Sequence, residues 1–175
     1  MAILATYLEV HLRLGESNAT VVTHLFKFAA YGTAVLGGYL SDVVMGKFKV
    51  IAIFSGVYVV GGLMMAVGAI DSLWVNEPDG VPLPYMTYAA LAVVALGTGA
   101  IKASVSSFVG DQFLPTEFTK LATVFTIFYF MINSGSLIST FITPILKRIS
   151  YSVAFGVPAI LLVVAMIIFL AGYSL

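Results

Sequence analysis

The sequence predicts an all-α membrane protein, a truncated first helix followed by five transmembrane helices. Three observations carry that prediction. The chain is 61% hydrophobic and 9% charged, with a mean hydropathy of +1.08, whereas soluble domains carry about 25% charged residues. Five apolar stretches each reach the ~20 residues that an α-helix needs to cross a hydrocarbon core. The breaks between them hold turn residues and charge, in loops too short to contain a soluble domain.

The elements follow in order. Residues 1–14 are apolar for only eight residues before Glu9, His11 and Arg13 appear. They lack the basic start of a signal peptide and are too short to span, so they are expected to be the second half of a helix whose first half is missing. Gly15-Glu16-Ser17-Asn18 breaks the chain, and Ser17 or Asn18 can cap the span expected over 19–41. Asp42 to Lys49 is a charged connection tight enough for a helical hairpin into a span over 49–70. Asp71 to Pro84 holds three prolines, three acids and Trp74, a residue suited to the membrane interface. A span over 85–108 follows. Asp111 to Thr119, with Pro115, leads to the span over 120–143. The brief Lys147-Arg148-Ile149-Ser150 leads to the last span, over 152–172.

The remaining composition excludes several classes of function. Eight basic and eight acidic residues leave no net charge, so nothing argues for a nucleic-acid partner. The absence of cysteine removes disulfides and thiolate metal sites. The two histidines, His11 and His24, are not at ligand spacing, and neither a metal nor a cofactor is expected. No nucleophile–base pair is suggested either, so an enzyme is not expected. Orientation stays open, because Lys47, Lys49 and Lys120 on one side balance Arg13, Lys147 and Arg148 on the other.

Polar residues inside the spans are the candidate functional groups. Lys102 lies in the apolar run GTGAIKASVSSF, nine residues before Asp111, or roughly 13 Å at 1.5 Å per residue. Its side chain recovers only part of that distance, and a charge at bilayer depth costs roughly 2.5 kcal/mol or more. Such a residue belongs to a bundle interior or an aqueous path. Gly97, Gly99 and Ala100 just before it form a small surface for close helix packing. His24, Lys27 and Tyr31 are spaced i, i+3, i+7 on one helical face. With an ordinary pKa of about 6.5, a histidine there can exchange protons; alternatively His24 and Lys27 snorkel to the headgroups. Tyr129 and Asn133 share a face four residues apart. The Asn133 amide either ties helices together or holds a substrate's amide and carboxylate.

Three ordered blocks carry a resemblance. GGYLSDVVMGKFKVIAIFSGVYVVGG (37–62) has Asp42, Gly46 and Lys47 at the characteristic positions of a glycine-glycine, aspartate, glycine-basic connection. GTGAIKASVSSFVGDQF (97–113) is similar to a GTGGIKP…SSF…DQF run, and FTIFYFMINSGSL (125–137) to an FYxxIN-x-G signature. Together they resemble the proton-coupled oligopeptide transporter family of the major facilitator superfamily. His24 and Tyr31 match a histidine–tyrosine pair of animal-type members, and 152–172 looks like the sixth span.

The resemblance implies a partial major facilitator fold, with this chain as the amino-terminal helical bundle and the carboxy-terminal half absent. It implies proton-coupled symport of di- and tripeptides by alternating access, in the plasma membrane, with the chain inactive alone. Proton coupling would involve His24, Tyr31 and Lys102. Tyr31, Lys102, Tyr129 and Asn133 would contact substrate, and Asp42, Gly46 and Lys47 would form a cytoplasmic gate. The partners implied are peptide, protons, the lipid bilayer and the missing half. Departures are specific: the family's E-x-x-E-R motif is absent, Ala100 and Ala103 replace a glycine and a proline, and Lys27 stands where an uncharged residue is usual. Two alternatives are a family member carrying nitrate or another small solute, and a truncated regulatory isoform that does not transport.

Overall fold

The computed structural model describes residues 2–70, 84–114 and 116–172. Trp74, most of its proline-rich connection and Pro115 lie outside these. Six helices follow one another, with no strand among the described residues. Helix α1 (Ala2–Thr6) continues into a wide turn over Tyr7–His11, closed by the Leu12 N–H donating 3.0 Å to the Tyr7 carbonyl. Helix α2 covers Glu16–Tyr39 and also ends in a wide turn, Leu40–Val44. Then come α3 (Lys47–Gly68), α4 (Pro84–Gly110), α5 (Phe118–Ile149) and α6 (Tyr151–Ala171). Five of the six are long and apolar enough to cross a membrane.

Helix α4 is the centre of the bundle, packed between α2 and α3, while α6 lies against α3. The glycines before Lys102 explain that position. A Cβ on Gly97 would sit 2.6 Å from Cβ of Tyr58 in α3, whereas one on Gly99 would strike the Thr33 hydroxyl and Ala30 carbonyl of α2. Two residues apart on a helix is about 200° around its axis. The two glycines therefore admit one neighbour on each side. Without a hydrophobic force between helices in lipid, such close backbone contact is a main source of helix association.

The apolar core lies where α1 docks onto the bundle. Tyr7 and Leu8 are completely buried beside Leu12, Met65 and Leu91. The Tyr7 ring meets Phe155 edge-on with centroids 5.2 Å apart, and His11 stacks on Tyr7 at 5.0 Å. At the opposite end Phe48, Phe108 and Phe169 tie α3, α4 and α6 together.

The structure corrects one local expectation. Neither Ser17 nor Asn18 caps α2; the helix starts at Glu16, after Gly15 with a φ of +76°. That backbone conformation suits glycine alone. Asn18 instead donates from its amide to the Leu14 carbonyl, 3.1 Å away. Two further differences are of extent. The connection after α2 narrows to Met45-Gly46, because helical backbone continues through Asp42 to Val44. Helix α5 runs on to Ile149 through Pro144, past the expected 143.

Helix α5 also differs in packing. None of its residues is buried, and it contacts mainly α6. Its hydroxyls turn inward on their own helix: Thr126, Thr140 and Thr143 each donate to the carbonyl four residues back at 2.6–2.9 Å. A hydroxyl satisfied that way is tolerated in an apolar surround. Between α5 and the rest lies a groove of about 460 Å³, lined by Ile3, Leu4, Gly62, Ser136, Thr140 and Pro158 among others.

Candidate functional site

Tyr31 and Lys102 come from different helices and meet. The Lys102 ammonium stands over the Tyr31 ring, 5.1 Å from its centroid. Both residues are exposed on the described bundle, so the pair lines an open face and not a closed core. A cation within about 6 Å of an aromatic face is attracted by the ring quadrupole. Lys102 makes no ion pair among the described residues. The arrangement therefore presents a positive charge, held against one aromatic wall, towards whatever faces α2 and α4. A carboxylate fits that chemistry.

His24 shares the face of Tyr31 two turns earlier and is exposed, with no hydrogen bond or ion pair among the described residues. No hydrogen bond or ring contact joins it to Tyr31 among the described residues. Tyr129 and Asn133 are both exposed on α5. The Asn133 amide donates 2.8 Å to the Tyr129 backbone carbonyl, which satisfies a donor and leaves the side-chain oxygen available. The Tyr129 ring stacks on Phe125 at 6.3 Å and meets Phe128 edge-on at 5.7 Å. No hydrogen bond, ion pair or ring contact joins this pair to Lys102 or Tyr31 among the described residues. Of the candidates inside the spans, Tyr31 and Lys102 are brought together, Asn133 is bonded to Tyr129, and His24 and Lys27 have no hydrogen bond or ion pair among the described residues.

The charged connection between α2 and α3 forms a second centre. Gly46, at a φ of +83°, turns the chain into α3, and Lys47 follows at once. Its ammonium lies 2.5 Å from a carboxylate oxygen of Asp111 at the end of α4 and 3.9 Å from Asp42. Ser41 donates to the Gly38 carbonyl at 2.8 Å and lies 3.3 Å from the Asp42 carboxylate. Phe48 and Phe108 floor the cleft. The cluster fastens the α2–α3 turn to α4. Asp111 is not among the gate residues expected from the sequence, although it stands in the GDQF run. Its position just past a span gives it the look of an ordinary loop acid.

The turn into α5 carries a perturbed group. Glu117 accepts from Lys120 at 2.7 Å and from the Leu114 backbone N–H at 3.2 Å. These two donors, Lys120 foremost, hold its carboxyl below the usual glutamate range.

Comparison with known proteins gives a consistent set of matches. A family model described as POT family matches residues 48–175. The Peptide transporter family 1 protein of Drosophila melanogaster is 42% identical over 182 residues, covering 99% of this chain and 24% of its own length. Solute carrier family 15 member 1 of Homo sapiens is 40% identical over 185 residues, covering 98% of this chain and 26% of itself. Among solved structures, the POT family transporter PepTSo aligns with a TM-score of 0.82 at 34% identity, covering 98% of this chain and 33% of that one. An auto-inhibited POT family peptide transporter aligns with the same TM-score at 32% identity, again over 98% and 33%. The chain spans about a quarter of the length of these curated relatives.

Proposed function

The chain belongs to the POT family, an integral multi-pass membrane protein with a partial major facilitator fold, and we propose that it supplies one wall of a proton-coupled pathway for di- and tripeptides. The observation that carries the proposal is the Lys102 ammonium over the Tyr31 ring at 5.1 Å. A charge that is costly at bilayer depth is here held on an exposed face, without an acidic partner among the described residues. A peptide carboxylate is the anion that chemistry suits, and the matched relatives carry peptide transporter names.

In this reading Tyr31 and Lys102 hold the substrate's charged end, while Tyr129 and Asn133 on α5 contact its body. His24 exchanges the coupling proton, with Tyr31 and Lys102 completing that network. Asp42, Gly46 and Lys47, joined by Asp111, form the cytoplasmic gate. The six helical segments act as the amino-terminal bundle, in the plasma membrane. In facilitator-type transporters the site lies at midplane between two halves. The opposite wall, with the counter-charge for Lys102, comes in our reading from sequence of the kind the longer relatives carry outside the matched region, and residues 1–175 alone do not transport.

The test is uptake of a labelled dipeptide by cells expressing the complete transcript. Accumulation should require an inward proton gradient, collapse with a protonophore and be competed by unlabelled di- and tripeptides. Competition by nitrate with none by peptides would overturn the peptide reading.

A further inference from the structure

Helices α2 and α4 cross along two stripes of small residues. On α2 these are Ala30, Thr33, Ala34 and Gly37, spaced i, i+3, i+4, i+7; on α4, Ala95 and Gly99 are four apart, and Lys102 continues the same face. A methyl on Gly37 would strike the Ala100 backbone, and one on Gly99 would strike Ala30 and Thr33. Small residues let the backbones touch, but a smooth contact does not define where along the axis they stop. The Thr33 hydroxyl does. It lies 2.9 Å from the Ala95 carbonyl of α4 and 3.1 Å from the Ala30 carbonyl of its own helix. A hydroxyl carries one proton, and the acceptor across the interface is the nearer.

Tyr31 flanks this crossing three residues before Ala34, and Lys102 lies three residues beyond Gly99. Whether their side chains meet therefore depends on the axial register of α2 against α4. One residue of slip moves a helix by about 1.5 Å. From 5.1 Å, a displacement of that size along the line from ring to ammonium takes a cation past the ~6 Å reach of an aromatic face.

We propose that Thr33 is a positioning residue of the site, its hydroxyl fixing the register that holds Lys102 over Tyr31 and so the pose of a substrate carboxylate. The part concerning substrate rests on the peptide reading above; the part concerning Lys102 does not.

The spectroscopic test uses the 175-residue chain in lipid nanodiscs, with lysines carrying 13C-labelled dimethyl groups that keep their charge. The Lys102 resonance is identified by its loss in Lys102→Arg. Its ring-current displacement is calibrated with Tyr31→Leu, where no ring remains. Thr33→Val, equal in shape but without the hydroxyl, should move the Lys102 resonance most of the way to that reference. Thr33→Ala should do the same, which rules out a valine clash as the cause, and Thr33→Ser should leave the resonance at its native position. An unmoved resonance in both Thr33→Val and Thr33→Ala overturns the proposal. Uptake from the complete transcript tests the substrate part: Thr33→Val should raise the dipeptide KM about threefold with kcat preserved, as for lost ground-state binding, and Thr33→Ser should restore it. An unchanged KM overturns that part alone. If wild type carries no dipeptide, the peptide reading fails while the Lys102 resonance still decides the role of Thr33.

Discussion

At the scale of single residues, Lys102 poses the central question of energy. A lysine at the centre of a span costs roughly 2.5–3.5 kcal/mol on insertion scales, and a cation–π contact returns about 0.5–2 kcal/mol. Tyr31 therefore offsets only part of the cost. The rest calls for water or an anion on the open face, which a transport pathway provides. Lys47 is in a different position. Its carboxylate partners are more than half exposed, and pairs of that kind contribute about 0–1 kcal/mol. The Lys47–Asp111–Asp42 cluster is suited to be made and broken, as a gate requires. Glu117 gives the clearest pH dependence. Its carboxyl is held below its unfolded value, so the ordering of the turn before α5 is fully present above the usual glutamate pKa. It is lost as pH falls through the depressed folded value. The Leu114 amide resonance should report this as an acid transition below the usual glutamate range. Glu117→Gln should remove the transition, and a transition that persisted would assign it to another group.

At the scale of elements, the glycines divide into those that are contacts and those that are not. Gly99→Ala drives a methyl into α2 and should destabilise the chain by about 1–3 kcal/mol, as overpacking does. At Gly135 in α5 an added Cβ would meet nothing within 4 Å, so Gly135→Ala should be stabilising by about 0.5–1 kcal/mol from helix entropy alone. Thermal denaturation in detergent separates the two, and equal shifts would contradict the packing account. The same contrast marks what the sequence conveys. Gly97, Gly99 and Lys102 stand out because small residues and charge are distinctive in an apolar run. The single packing surface that the run suggests is in fact two, facing opposite neighbours, although the offset of about 200° is implicit in the spacing. The start of α2 differs from expectation because Gly15, with its positive φ, turns the chain into a helix that begins at Glu16, so that Ser17 and Asn18 fall inside its first turn. The end of α5 lies beyond its expected place because the helix carries Pro144 in its interior and continues to Ile149.

At the scale of the whole molecule, helix order and fold class are legible because five apolar runs of membrane length leave few alternatives. The meeting of Tyr31 with Lys102 is not, since 71 residues separate them and their contact depends on how α2 crosses α4. Nor is the joining of Asp111 to Lys47, which needs the α2–α3 turn to fold back on the end of α4. The bundle that results is uneven. Helices α2, α3 and α4 pack closely at glycine contacts, while α5, which carries Tyr129 and Asn133, has no buried residue and contacts mainly α6.

In the proposed pathway Lys102 presents its charge to a peptide carboxylate. The most direct test is proton-driven dipeptide uptake by the Lys102→Ala variant, expressed from the complete transcript and matched to wild type for surface abundance. Uptake should fall at least tenfold, equivalent to about 1.4 kcal/mol of lost transition-state stabilisation. Uptake equal to wild type at the same surface abundance would mean that Lys102 does not hold the substrate carboxylate.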